Sequence, residues 1–251
     1  MNKVYLGDCL EVMDELINQD IKVDAIITDP PYGTTACKWD SVIPFESMWE
    51  RLNKLIKSNG AIVLFGSEPF SSALRMSNIK NFRYDWIWEK PQGTNPMVAK
   101  IQPLKSHENI SVFYKKTSRY NPQMTLSTPY SGFKSETKKL GEVYGFVDSK
   151  HRDNPEGTRF PKTVVRFKKE KGLHPTQKTV ALIEYLIKTY TNECETVLDF
   201  TAGSGTTGIA CLNTNRKYIM IEKEEKYYNI ILERIKETER IKEMQKYIEI
   251  L

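Results

Sequence analysis

The apolar positions of the 251-residue chain fall into short, nearly continuous runs, separated by longer stretches in which they recur every three or four residues. The short runs are Val4–Leu6, Val23–Thr28, Ala61–Phe65, Tyr84–Trp88, Ile110–Tyr114, Thr196–Phe200 and Tyr218–Ile221, and they predict seven strands. Runs with so few polar interruptions belong to strands covered on both faces. Helical periodicity predicts helices over Cys9–Asn18, Phe45–Lys57, Phe70–Ser77, Val180–Tyr190, Thr206–Leu212 and from Glu224 to about Lys246. Strands alternating with helices predict an α/β fold with a doubly wound, mostly parallel, seven-stranded sheet.

Residues 116–172 break this rhythm. They are rich in Lys, Arg, Ser, Thr, Gly, Pro and Tyr and show little sustained periodicity. The segment reads as an inserted subdomain between residues 1–115 and 173–251, or else as a solvated surface loop. A structureless insertion of this length would be unusual inside a compact domain. Charge adds to the picture. The formal net charge is +5, yet residues 115–172 carry 14 Lys and Arg against 6 Asp and Glu, a balance of +8 that leaves −3 elsewhere. One segment is therefore suited to a polyanionic partner. No apolar run approaches the ~18 residues of a membrane span, and the first residues lack the apolar stretch of a signal peptide. Cys9, Cys37, Cys194 and Cys211 lie far apart, without metal-ligand spacing. That pattern predicts reduced thiols and a cytoplasmic location.

Three stretches carry candidate chemistry. The run Val23–Thr28 ends in Asp29-Pro30-Pro31-Tyr32. Two prolines fix φ and remove two N–H groups, so the backbone there is stiff and its carbonyls are exposed. Asp29 and the Pro30 carbonyl can then offer two acceptors beside the flat face of Tyr32. That combination suits an exocyclic amino group on a flat ring; the plainer alternative is a strand-ending turn capped by Asp. The second stretch runs from Asp199-Phe200 through Gly203-Ser204-Gly205 to Thr206-Thr207, a strand leading into a glycine-rich turn and a helix. Glycines permit the tight turn and close approach of a ligand to the backbone. Glu222 follows Gly203 by 19 residues at the end of the next strand, the spacing of an acid that grips ribose hydroxyls. A plain strand–helix turn is the alternative. The third is Asp8-Cys9, where Asp8 can cap the following helix or receive the amino group of an adenine ring. All three follow strand carboxyl ends, which share one edge of a parallel sheet, the edge where ligands bind.

Asp29-Pro30-Pro31-Tyr32, Gly203-Ser204-Gly205-Thr206-Thr207 and His174-Pro175-Thr176-Gln177-Lys178 together resemble S-adenosylmethionine-dependent amino-group DNA methyltransferases. Their order, target-pocket motif first and cofactor loop last around a basic segment, is that of the permuted β class. The stretches Leu64-Phe65-Gly66-Ser67, Trp86-Ile87-Trp88-Glu89-Lys90 and His107-Glu108 are similar to the same pattern. The resemblance implies a Rossmann-like sheet, S-adenosyl-L-methionine as cofactor and double-stranded DNA as partner. It implies that Asp29 and Pro30 hold the target amino group, beside Pro31 and with Tyr32 stacked on the base. Asp8 with Cys9 would lie at the cofactor adenine, and Glu222 on the ribose. Asp199, Phe200, Gly203, Ser204 and Gly205 would line the cofactor. His174, Thr176, Gln177 and Lys178, with Thr206 and Thr207, would sit near its amino-acid end. Thr201 stands where the family has Phe, and Thr179 where it has Pro.

An Asp at the head of the target motif favours N6-adenine, since N4-cytosine members more often begin with Ser. The basic segment becomes the target-recognition region, with Arg119, Arg152, Arg159 and Arg166 as base or phosphate contacts and Lys168, Lys169 and Lys171 as phosphate contacts. The resemblance further suggests a prokaryotic or phage-encoded protein, and leaves open a homodimer and a cognate restriction endonuclease. Rival readings are an N4-cytosine enzyme, an RNA methyltransferase, a non-catalytic nucleic-acid binder and a nicotinamide dehydrogenase. The last does not explain Asp29-Pro30-Pro31-Tyr32.

Overall fold

The computed structural model describes residues 2–35, 37, 40–132, 138–139, 146–147, 153–168 and 177–248. In chain order the elements are β1 (Lys3–Leu6), α1 (Cys9–Asn18), β2 (Val23–Thr28), α2 (Phe45–Leu55), β3 (Ile56–Gly66), α3 (Phe70–Ser77), β4 (Phe82–Thr94) and β5 (Lys105–Phe113). Then come β6 (Thr125–Leu126), β7 (Lys138–Lys139), β8 (Phe146–Val147), β9 (Thr158–Arg159) and β10 (Val164–Arg166). The chain closes with α4 (Val180–Tyr190), β11 (Thr196–Asp199), α5 (Thr206–Asn213), β12 (Lys217–Glu222) and α6 (Glu225–Ile248).

One sheet runs β1-β12-β11-β2-β3-β5-β4-β10. It has eight strands where seven were expected: all seven predicted runs are in it, and β10 joins β4 in parallel at the edge. The eighth strand was hidden because three residues, only one of them buried, make no apolar run. Only β5 runs against its neighbours. Its start therefore lies at the same edge as the ends of the other strands.

Strand side chains alternate between two buried layers, as a period of two requires. Ala25 and Ile27 of β2 join Leu182, Leu186 and Ile187 of α4 on one face. Ile26 joins Met13 and Leu16 of α1 and Trp49 and Leu52 of α2 on the other. Leaving β2, the chain crosses through α2 to β3; leaving β11, it crosses through α5 to β12, on the opposite side. Adjacent strands whose connections depart in opposite directions open a crevice at their carboxyl ends. That crevice lies beyond Thr28 and Asp199.

Contacts divide the chain into Met1–Asn121 with Thr163–Leu251, and a smaller unit, Pro122–Lys162. In the smaller unit β6 pairs with β9 and β7 with β8, both antiparallel. It is narrower than the expected 116–172 segment, and the charge moves with the boundary. Residues 122–162 hold 7 Lys and Arg against 5 acids, whereas 115–121 and 163–172 together hold 7 against 1. No described helix is long and apolar enough to cross a membrane.

Candidate active site

A cavity of ≈ 520 Å³ opens at the carboxyl edge of the sheet, bordered by Asp8, Asp29–Tyr32, Lys90, Glu108, Lys178, Asp199–Ser204 and Glu222. The residues that sequence position alone could only align at one edge thus meet in one space.

Asp29 leaves β2 into this cavity with 20% of its side chain exposed. The Tyr32 hydroxyl donates to Asp29 Oδ1, and the Tyr32 ring packs on Phe70 with centroids 5.0 Å apart. Asp40 holds the loop beyond, accepting the N–H groups of Gly33, Thr34 and Thr35 at 2.9, 2.9 and 2.6 Å. Thr201 Oγ1 donates to the Asp29 carbonyl at 3.0 Å and ties the target corner to the glycine-rich turn. That is the work of the threonine standing where a phenylalanine was expected.

Lys178, expected near the cofactor's amino-acid end, borders the cavity and also reaches the Asp29 carboxylate. Its Nζ lies 2.5 Å from Asp29 Oδ2 and 3.1 Å from Glu108 Oε2, and it is 7% exposed. It sits over the rings of Phe65 and Tyr32, 5.1 and 5.8 Å from their centroids. Glu108 also pairs with Lys90. Two carboxylates and two ammonium groups therefore alternate around the corner, a balance that makes such burial tolerable. Burial pushes the Asp29 carboxyl above its ordinary value, with the Lys178 ammonium opposing. Glu108 goes the other way: despite burial, Lys178 and Lys90 hold it down to about 2. Against burial, Asp29 and Glu108 raise Lys178, which stays protonated. Glu108 and Lys90 were read in the sequence without a role. The signal for Glu108 is strand direction, because only an antiparallel β5 brings its first residues to this edge, where Lys90 arrives near the carboxyl end of β4.

The glycine-rich turn lies across the crevice. Gly203 and Gly205 have φ of 54° and 78°, which L side chains rarely adopt. Glu222 accepts the N–H groups of Gly203 at 2.7 Å and Glu224 at 2.8 Å, one on each carboxylate oxygen. Burial raises its pKa against these bonds. Ser204 Oγ donates to Gln177 Oε1 at 2.9 Å, and Arg234 holds the Ser204 carbonyl at 2.5 Å. Asp8 caps α1 through the Leu10 N–H at 2.9 Å and pairs with Lys223 at 3.2 Å. Those two contacts outweigh partial burial and hold its carboxyl low. Burial pushes the neighbouring Cys9 thiol up to about 12, so it stays neutral.

Asp199 borders the cavity, but its oxygens serve the fold. It accepts from Thr28 Oγ1 at 3.0 Å, the Thr201 N–H at 3.2 Å and Thr207 Oγ1 at 2.6 Å. Burial lifts its pKa to about 6. Phe200 is 1% exposed and belongs to the apolar layer. Thr206 and Thr207 are buried in the first turn of α5.

The expected DNA contacts separate. Arg119 pairs with Glu195 at 2.9 Å, and its N–H bonds to the Asn59 carbonyl at 3.1 Å. Both partners stand at the amino ends of strands, so Arg119 faces away from the cavity edge, a correction to its place among the candidates. Arg159 donates to the carbonyls of Thr158 and Thr128 and covers the Tyr130 ring, bracing the smaller unit. Arg166 is exposed on β10 and pairs with Glu89 at 2.8 Å, and Lys168 is exposed. His174, Thr176, Arg152, Lys169 and Lys171 lie outside the described residues. Among the described residues no group of His, Cys, Asp and Glu could hold a metal ion.

A family model described as DNA methylase matches residues 23–233. Type II methyltransferase M1.MboII of Moraxella bovis is 27% identical over 259 residues, covering 91% of this chain and 94% of the relative. The structure of the M1.HpyAVI–SAM complex is similar with a TM-score of 0.64 at 27% identity, covering 93% of this chain and 100% of that one. The cytosine-N4-specific PvuII DNA methyltransferase has a TM-score of 0.64 over 94% of this chain and 90% of its own. At 16% identity that likeness is one of fold.

Proposed function

The chain belongs to the DNA methylase family, and we propose that it methylates the N6 amino group of adenine at specific sites in double-stranded DNA. The chain is a DNA methyltransferase that uses S-adenosyl-L-methionine. The cavity wall fits that cofactor. Gly203 brings bare main chain to its surface, whereas Gly205, expected beside it, is buried against Ile231 of α6 and shapes the turn from behind; Glu222 stands 19 residues beyond Gly203 to meet ribose hydroxyls. Asp8 offers a carboxylate to an adenine amino group. The cofactor supplies an electrophilic methyl group on a sulfonium.

The single observation that carries the adenine reading is Asp29, an ionisable carboxyl at the head of the target corner with Tyr32 and Lys178 upon it. An aromatic amine is a poor nucleophile because its lone pair is delocalised into the ring. Asp29 and the Pro30 carbonyl each accept one N–H, which favours a pyramidal nitrogen whose lone pair is withdrawn from the ring and aimed at the methyl group. Their negative ends face the positive charge that develops on nitrogen, and they are already in place. The Tyr32 ring covers the base. Lys178 is a positioning residue: it keeps Asp29 ionised in a buried site and, with Tyr32 on the other oxygen, fixes the carboxylate so that a remaining lone pair faces the amine. The base must leave the duplex to reach this corner. Phosphate is gripped by the basic stretch that follows the smaller unit, where Arg166 and Lys168 are exposed.

The test is to methylate DNA, digest it to nucleosides and identify the product. N6-methyladenine is expected; N4-methylcytosine alone overturns the choice of base. Asp29→Ala should bind S-adenosylmethionine and not turn over, and an active Asp29→Ala protein removes Asp29 from the mechanism.

A further inference from the structure

We propose that the tip of the β4–β5 hairpin is the wedge that enters the base stack when the target base is extruded. The proposal rests on the DNA methyltransferase reading and assigns a task to residues outside the site described above.

The two strands run on past the sheet. After Glu89 pairs with His107 the register shifts, and Thr94 pairs with Lys105 at the neck of the hairpin. Thr94, Asn95 and Lys105 border the same cavity as Asp29. The neck is closed by Thr94 Oγ1 donating to the Lys105 carbonyl at 3.0 Å, and by Leu104 packed on Gly93, where a Cβ would come within 2.6 Å of it. The tip is compact. Asn95 has φ of 65°, Pro96–Val98 form a 3₁₀ turn, and the Val98 carbonyl accepts from Ile101 and Gln102, each at 3.0 Å. Pro96 and Pro103 stiffen its two arms.

This ordered turn holds Met97 98% exposed and Ile101 83% exposed. Single exposed apolar residues are ordinary. Two large ones raised four residues apart, on a built turn that contributes nothing to the core, are surfaces held for a partner. The charge indicates which one. Residues 91–105 contain Lys100 and Lys105 and no carboxylate, as a segment meeting phosphates requires. Extruding a base leaves two unstacked ring faces, and apolar side chains such as Met and Ile fill such gaps in other kinked duplexes. Met97 and Ile101 supply the apolar wedge, Lys100 lies between them for a phosphate, and the neck leads into the cavity that receives the base.

The test uses the full chain carrying Met97→Ser and Ile101→Ser. Both side chains are exposed, so melting temperature and S-adenosylmethionine affinity should match wild type. Two duplexes contain the recognition sequence, which is found by mapping modified bases in DNA from cells expressing the protein. In one the target base is paired; in the other it faces an abasic site, so that extrusion is nearly free. The expected result is a loss of about ten-fold or more in kcat/KM on the paired duplex, with most of it recovered on the abasic one. Wild-type rates on the paired duplex, or equal losses on both, overturn the wedge; equal losses would make the tip a plain DNA or protein contact. If wild type methylates cytosine, the adenine reading fails, and the same pair of duplexes built around cytosine decides the wedge.

Discussion

Lys178 Nζ stands 2.5 Å from Asp29 Oδ2, although 149 positions separate the two residues in the chain. The residue just ahead of α4 thus reaches across the crevice and holds the carboxylate at the end of β2.

This pairing has a pH signature. Asp29 works as a carboxylate, and burial raises its pKa while Lys178 opposes. Activity should therefore fall as pH drops, at a pH above the ordinary range for aspartate. Removing the ammonium in Lys178→Met leaves burial and Glu108 unopposed, so the acid limb of the kcat profile should move to higher pH. Lys178→Arg should restore it in part, with S-adenosylmethionine affinity nearly constant in both. An unmoved limb with weakened cofactor binding would return Lys178 to the cofactor contact expected from sequence.

Glu222 presents one carboxylate oxygen to Gly203 and the other to Glu224. Glu222→Gln keeps one acceptor, so one backbone N–H loses its partner, at about 1–3 kcal/mol. The glycine-rich turn loosens, and the charge proposed to face the ribose disappears. Calorimetric titration should show S-adenosylmethionine binding weakened by roughly ten-fold or more, with kcat at saturation changed far less.

Gly205 has φ of 78°, and a Cβ there would lie 2.9 Å from Ile231 Cγ1. Gly205→Ala meets both penalties, strained backbone and a clash with α6, which together should cost roughly 1–3 kcal/mol. Urea unfolding should show a lower midpoint, and cofactor affinity should fall with it. Ile231 is fully buried, so Ile231→Ala is itself destabilising by about 2–5 kcal/mol; a double-mutant cycle should show the two substitutions costing less together than the sum of each alone, because the clash is gone.

Much of this was legible in the sequence because burial on both faces writes itself as apolar runs. All seven strand runs and the six helical patterns are present, and Asp29, Glu222 and the glycine-rich turn share one edge. What stayed hidden depends on direction and partnership. The antiparallel course of β5 places Glu108 in the site, and no periodicity reports strand direction. Arg119 looked like part of a basic patch, yet its partner Glu195 is 76 residues away. Three residues of β10 with one buried side chain gave too short a pattern to read.

Asp199 tests whether a buried carboxylate serves the fold rather than the reaction. Burial raises it to about 6. An acid whose folded pKa is raised destabilises the fold once ionised, by roughly 3 kcal/mol at neutral pH for a shift of this size. That penalty is relieved as pH falls from about 6 toward its ordinary value. Glu108 and Asp8, held low, contribute stability in the opposite sense when acid is added. The wild-type curve alone therefore mixes both signs. Asp199→Asn removes only the Asp199 titration, so the difference between the two proteins isolates it. Its amide also loses acceptor capacity toward Thr28, Thr201 and Thr207, a cost that does not change with pH. Urea unfolding at pH 7, 6, 5 and 4 should show wild type gaining on Asp199→Asn as pH falls through that window. A constant difference would mean that Asp199 keeps an ordinary pKa, and that its three hydrogen bonds offset its burial in full.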